Sequence, residues 1–214
     1  MDYKKKSLTN DSNQNDIYKS KYYKYKSKYL KLKQQGGNLR QKIDDILAGD
    51  KNFENFDFQN SFHNLEGKDL TGANFKGVKG TKYLNLNETI LDQANFEGAE
   101  IPSSGKFSMK SAKGINFENV DFKNDYYNLQ GKDFTGANFK GVKGTRFLNL
   151  NETILDQANF EGFEIPPSDK FSMKSGKEIN FTGVDFRNEY YDFRRVNLTD
   201  AIFEGVVNTN YLQK

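Results

Sequence analysis

The chain has 214 residues, 32 Lys+Arg against 29 Asp+Glu, a mean hydropathy of −0.87 and no cysteine. The absence of cysteine excludes disulfides, zinc–thiolate centres and thiol catalysis, and no stretch of about 18 apolar residues is present to span a bilayer. Charge is divided: residues 1–49 hold 12 Lys+Arg against 5 Asp+Glu and the remainder 20 against 24, so a basic head precedes a mildly acidic body.

A hydrophobic fraction of 35% leans towards disorder, but 19 Phe argue for a core that is narrow and aromatic. Met1 to Lys6 lead into no apolar run, so no secretory signal is expected, and the reading is a soluble intracellular protein.

Residues 1–16 are polar and are expected to be disordered. Over 17–37, Tyr18, Tyr22, Tyr25, Tyr29 and Leu32 are spaced as one face of a helix, with Lys19, Lys21, Lys24, Lys26, Lys28, Lys31 and Lys33 around it. Gly36 and Gly37 end this basic amphipathic helix. Such a helix could hold nucleic acid, with lysines on phosphates and tyrosines stacked on bases. It could also lie on an anionic membrane, pack on a partner helix, or serve as an address for packaging. The Lys/Tyr run followed by Gly-Gly resembles an N-terminal element of proteins of giant DNA viruses of the Mimivirus type. That resemblance implies a viral protein in the host cytoplasm, the virus factory or the virion, with Gly36 and Gly37 as a processing site. Residues 38–49 come next as a short helix, with Asn38 as N-cap, Gln41 three residues on, and Leu39, Ile43, Ile46 and Leu47 as its apolar side. This helix is expected to cover the open N-terminal end of the repetitive body that begins at residue 50.

From 50 to 214 the chain is repetitive. Units 52–115 and 116–179 align without gaps, with roughly fifty of their 64 positions identical, and a partial third occupies 180–214. A shorter period lies inside each: Ala73-Asn74-Phe75-Lys76-Gly77 returns as Ala94-Asn95-Phe96-Glu97-Gly98, Ala137-Asn138-Phe139-Lys140-Gly141 and Ala158-Asn159-Phe160-Glu161-Gly162. The form is a small residue, Asn, a large apolar residue, a polar residue and Gly. It resembles the pentapeptide-repeat family. The resemblance implies an all-β solenoid, a right-handed quadrilateral β-helix, here preceded by the basic amphipathic helix and the short capping helix.

Spacing alone groups the pentapeptides. The central apolar residues fall in sets of four, such as Leu86, Leu91, Phe96 and Ile101, each set followed by one or two inserted residues. Inserts once per turn predict an outward bulge at one corner of the coil. The central residue should fill the tube, and the Asn or Asp before it should turn outward and bond local backbone. Several positions break the pattern. Gly80, Ala112, Gly144, Gly176 and Asn208 stand where a large apolar residue belongs, and Lys68, Lys110, Lys132 and Lys174 where a small one does. Met109 and Met173 are candidates to turn inward in their place, and these faces are expected to be irregular.

No catalytic, cofactor-binding or metal-ligating set emerges. His63, the one histidine, is replaced by Tyr127 and Tyr191 in the later units, an exchange acid–base chemistry does not survive. Glu88, Asp92 and Glu97, recurring as Glu152, Asp156 and Glu161, read as solvated outer-face residues. The functional expectation is a non-enzymatic scaffold or protein-interaction module, with homodimerisation through a solenoid end and nucleic-acid contact through the N-terminal helix as further options. The family supplies an alternative, a DNA-mimicking inhibitor of a topoisomerase-type or other DNA-binding protein, for which the body's charge is weak.

Overall fold

The structure, a computed structural model, describes residues 51–59, 62–187, 189–210 and 212–213. All belong to the unit Ala48–Lys214. The basic helix over 17–37, with Gly36 and Gly37, and the capping helix over 38–49 lie outside the described residues.

Backbone pairing is parallel throughout and runs between residues one coil apart. Asn52 bridges Asn74, which bridges Asn95, then Asn116, Asn138, Asn159, Asn180 and Ile202. The steps along this first face are 22, 21 and 21 residues, then the same again. Three coils therefore make one 64-residue unit, and the duplication read from the sequence is a three-coil block. Stacking at about 4.8 Å per coil, the seven coils from Asn52 to Ile202 rise roughly 34 Å.

The bridges between coils fall on four faces, though not on every face of every coil. The first carries the asparagines just named. The second carries Asp57, Lys79, Asp121, Lys143, Asp185 and Val207. The third holds β1 (His63–Asn64), β2 (Leu84–Asn85), β5 (Tyr127–Asn128), the start of β6 (Leu148–Ile154), β8 (Tyr191–Asp192) and β9 (Leu212–Gln213). On the fourth, β3 (Thr89–Ile90) pairs with β4 (Met109–Ser111), and the end of β6 with β7 (Phe171–Ser175). From fourth to first to second face the bridged residues keep the five-residue step, as in Asp69, Asn74 and Lys79. Every insert falls between the second and third faces, so the single-corner expectation holds.

The corners form for a local reason. The C=O of Leu70 accepts the N–H of Ala73 at 2.9 Å, and Gly72 between them has φ +67°, as at the third position of a type II turn. Asn, Gln, Glu and Asp also take this left-handed conformation, for example Gln93, Asn119 and Glu152. The Asn or Asp ahead of each corner behaves as expected: Asn74 Oδ1 accepts the N–H of Lys76 at 3.1 Å, and Asp133 Oδ1 that of Thr135 at 3.0 Å.

The tube is filled by the central residues. Phe75, Phe96, Phe117, Phe139, Phe160 and Phe181 are fully buried. Phe53, Phe75 and Phe96 lie ring on ring at 4.7 Å, and Phe139 and Phe160 at 4.8 Å. Against expectation Lys68 and Lys132 sit at ordinary corners, their N–H groups bonded to the carbonyls of Leu65 and Leu129, while the glycine and methionine positions resolve into two devices. At Gly80 and Gly144 the chain turns with φ +64° and +66°, and buried Thr81, Leu84, Thr145 and Leu148 occupy the space. On the fourth face Thr89 pairs with Met109 but Ile90 with Ser111, leaving Lys110 bulged outward; Lys174 does the same between Met173 and Ser175. Met109 and Met173 turn inward, at 0% and 6% exposure, beside the small Ala112 and Gly176.

Candidate interaction surface

With the interior closed, chemistry is confined to the four outer faces and their corners. Among the described residues no buried side-chain nitrogen or oxygen lacks a partner, no group of three His, Cys, Asp or Glu is placed to hold a metal, and no helix is long and apolar enough to cross a membrane.

His63 is buried, its Nε2 3.4 Å from the carbonyl oxygen of Phe58. Burial lowers its pKa from the usual 6.5, with the Phe58 carbonyl opposing. Its successors do something different. Tyr127 and Tyr191 donate their hydroxyls to the carbonyls of Pro102 and Pro166, 25 residues earlier in the preceding coil, at 2.8 and 2.7 Å. Burial pushes Tyr127 up to about 12 and Tyr191 further. These are packing positions with one polar handle, and the tyrosines tie neighbouring coils together.

The recurrent carboxylates divide. Glu88 and Glu152 are exposed, with left-handed backbones at φ 57°. Asp92 is half-buried and ties two coils, accepting from Ser111 Oγ at 2.5 Å and Lys113 N at 2.8 Å; Asp156 repeats this with Ser175 and Lys177. Glu97 meets Lys76 at 2.8 Å and Glu161 meets Lys140 at 2.9 Å, both half-exposed pairs of small energetic weight. Along the first face the amide of Asn116 donates to Asn95 at 2.9 Å, and that of Asn180 to Asn159 at 3.0 Å, a ladder on the coil stack. The outer faces are thus polar, internally satisfied and repeated every three coils.

One edge differs, and the five-residue register gave no sign of it. Seven large apolar side chains are exposed among the described residues, and five of them, Phe62, Tyr83, Tyr126, Phe147 and Tyr190, lie on the corner between the second and third faces. They are 42–58% exposed. Lys82 lies 5.2 Å from the ring of Tyr83, Arg146 5.2 Å from that of Phe147, and Lys106 5.6 Å from that of Phe62. The signal was present in the sequence as aromatic residues beside buried His63, Leu84, Tyr127, Leu148 and Tyr191, but it lies in the inserts, outside that register. The residues assigned to partner or nucleic-acid contact, Tyr18, Tyr22, Tyr25, Tyr29 and the lysines from Lys19 to Lys33, lie outside the described residues.

Four-faced parallel coils assembled from five-residue steps, with Asx turns at their corners, define a four-sided β-solenoid. No family model and no curated protein matches the chain. Among solved structures it is similar to HetL, a pentapeptide repeat protein involved in heterocyst differentiation regulation in the cyanobacterium Nostoc, at 16% identity over 77% of this chain and 92% of that one, with a TM-score of 0.27. It is also similar to QnrB1, a plasmid-mediated fluoroquinolone resistance protein, at 19% identity over 76% and 88%, with a TM-score of 0.23. At these scores the fold assignment stands on the coil geometry itself.

Proposed function

We propose that the protein is a non-enzymatic pentapeptide-repeat scaffold that presents the same outer-face group to protein partners more than once along its axis. The observation that supports this is translational: the Lys76–Glu97 pair returns as Lys140–Glu161, and the Asp92–Ser111 contact as Asp156–Ser175, three coils further on. Three coils correspond to about 14 Å, so two equivalent epitopes stand within reach of one partner or of two adjacent ones. The topoisomerase-inhibitor alternative asks for a continuous acidic face, whereas Glu97 and Glu161 are each matched by a lysine on their own face. That favours the scaffold.

The test is affinity capture from host cells with the full chain, against Glu97→Lys, Glu161→Lys and the double variant. A partner retained by either single variant and lost from the double supports a repeated epitope. Indifference of every captured protein to the double variant removes this reading.

The N-terminal Lys/Tyr run with Gly36 and Gly37 supports a second reading, that this is a giant-virus protein of the host cytoplasm, virus factory or virion. Its test is the N-terminus of the protein recovered from virions: a chain beginning at Asn38 supports processing, and an intact chain from Met1 refutes it.

A further inference from the structure

The exposed aromatic edge has an order that the rest of the surface lacks. Counting coils from Asn52, Phe62 lies in the first, Tyr83 in the second, Tyr126 in the fourth, Phe147 in the fifth and Tyr190 in the seventh. The third and sixth coils have no aromatic there; their corners are the 3-10 turns Ser104–Lys106 and Ser168–Lys170. In the second, fourth, fifth and seventh coils the residue ahead of the ring is charged, and its sign alternates: Lys82, Asp125, Arg146, Glu189.

Both acidic side chains also accept from backbone, Asp125 from the N–H of Tyr126 at 2.8 Å and Glu189 from that of Ser168 at 2.6 Å. Two further cations, Lys123 and Arg187, begin the fourth and seventh corners, and Arg187 is drawn to Glu164 at 2.6 Å. The corner of the sixth coil is neutral, with Asp169 paired to Lys170 at 2.8 Å. The edge is therefore apolar with charges of both signs, Asp125 and Glu189 interrupting Lys82, Lys106, Lys123 and Arg146, and it lacks the unbroken basic track that a polyanion such as nucleic acid takes.

The four charged rungs are separated by two, one and two coils, a spacing that reads the same from either end. Reversing the rod exchanges each sign for its opposite. A palindromic spacing with inverted charge is what an isologous two-fold contact requires, because each patch must complement itself. We propose that this edge pairs with the same edge of a second copy of the chain, antiparallel, about a two-fold axis between the fourth and fifth coils. Lys82 then faces Glu189 of the second copy, and Asp125 faces Arg146 of the second copy. Tyr83 meets Tyr190, Tyr126 meets Phe147, and the two aromatic-free corners meet each other. The rungs span five coils, about 24 Å. Displacing the antiparallel rods by one or two coils either sets like charges opposite or leaves rungs unmatched, so charge fixes the register while the rings supply the apolar area. This contact lies along the side of the rod and leaves the first and fourth faces clear for other partners.

Sedimentation velocity of the full chain over about 1–100 µM reads the association. A concentration-dependent dimer is expected, with its Kd raised at least about tenfold by Arg146→Asp and by Asp125→Arg, each of which sets like charges opposite. The combined Arg146→Asp, Asp125→Arg chain is expected to return to within about threefold of the wild type, since the pair is exchanged across the axis. An arrangement that does not set residue 125 of one copy opposite residue 146 of the other would not show this restoration. Because the chain has no cysteine, a mixture of Tyr126→Cys and Phe147→Cys chains is also expected to cross-link faster than either alone. Melting curves of each variant monitor folding. A chain that stays monomeric throughout, whether or not it binds an oligonucleotide, overturns the proposal. So does a dimer indifferent to the single swaps, or a double swap that stays weakened.

Discussion

A Cβ at position 176 would lie 2.7 Å from Sδ of Met173, so the methionine occupies the volume that a side chain at Gly176 would need. In the preceding unit Ala112 and Met109 occupy the equivalent positions, both fully buried, which indicates that one methyl is accommodated when the flexible thioether shifts. Gly144 is the opposite case. With φ +66°, its Cβ would collide with the Asp121 carboxylate and the backbone nitrogen of Lys123. Gly176→Ala is therefore expected to change stability by less than about 1 kcal/mol, and Gly144→Ala to lower it by about 2 kcal/mol or more. Urea unfolding of the two variants checks the ordering; equal effects would refute this account of the two glycines.

Stacked rings and edge rings should separate cleanly. Phe160 is fully buried and lies 4.8 Å from Phe139, whereas Phe147 is 42% exposed. Phe160→Ala is expected to cost about 3–5 kcal/mol, and Phe147→Ala less than about 0.5 kcal/mol. The comparison is made on dilute protein by thermal or urea unfolding, so that association does not enter.

The pH dependence near neutrality should trace to His63. Its folded pKa lies below 6.5, so between that value and 6.5 the unfolded chain binds more protons than the folded one, and stability falls as the pH drops through this window. His63→Tyr should abolish the fall. Asp69, Asp133, Asp185 and Asp192, all lowered and Asp192 to about 2, contribute in a separate range below their ordinary 3.8. Urea midpoints at pH 7.5 and 5.5, about one unit either side of the histidine value, measure the difference. An identical fall in the His63→Tyr chain would contradict it.

The inter-coil hydroxyl bonds offer a local test. Tyr191 donates to Pro166 from a buried position, so Tyr191→Phe orphans one carbonyl and should cost about 1–2 kcal/mol. Hydrogen exchange should report the loss mainly in the coils joined by that bond, as expected where stability is summed over neighbours. A loss spread evenly along the rod would argue against nearest-neighbour coupling.

Much of this was legible in one dimension. The step from Leu86 to Leu91 to Phe96 sets the side length of a coil, the Asn before each Phe sets its turn, and the inserts after Ile101 or Phe122 mark one corner, because each depends on residues within a few positions of one another. Lys110 and Lys174 marked the bulged faces as well, but the asparagine ladder and the reach of Tyr127 to Pro102 were not legible, because their partners lie 21 to 25 residues away and meet only once the coil lengths are fixed. The same holds for the edge. Tyr83, Tyr126 and Phe147 look like scattered loop aromatics in the sequence, and stacking at the repeat distance puts them on one line. Sequence by itself determined the coil; only the stacking of one coil on the next decided which side chains share a surface, since that depends on lateral register and not on local spacing.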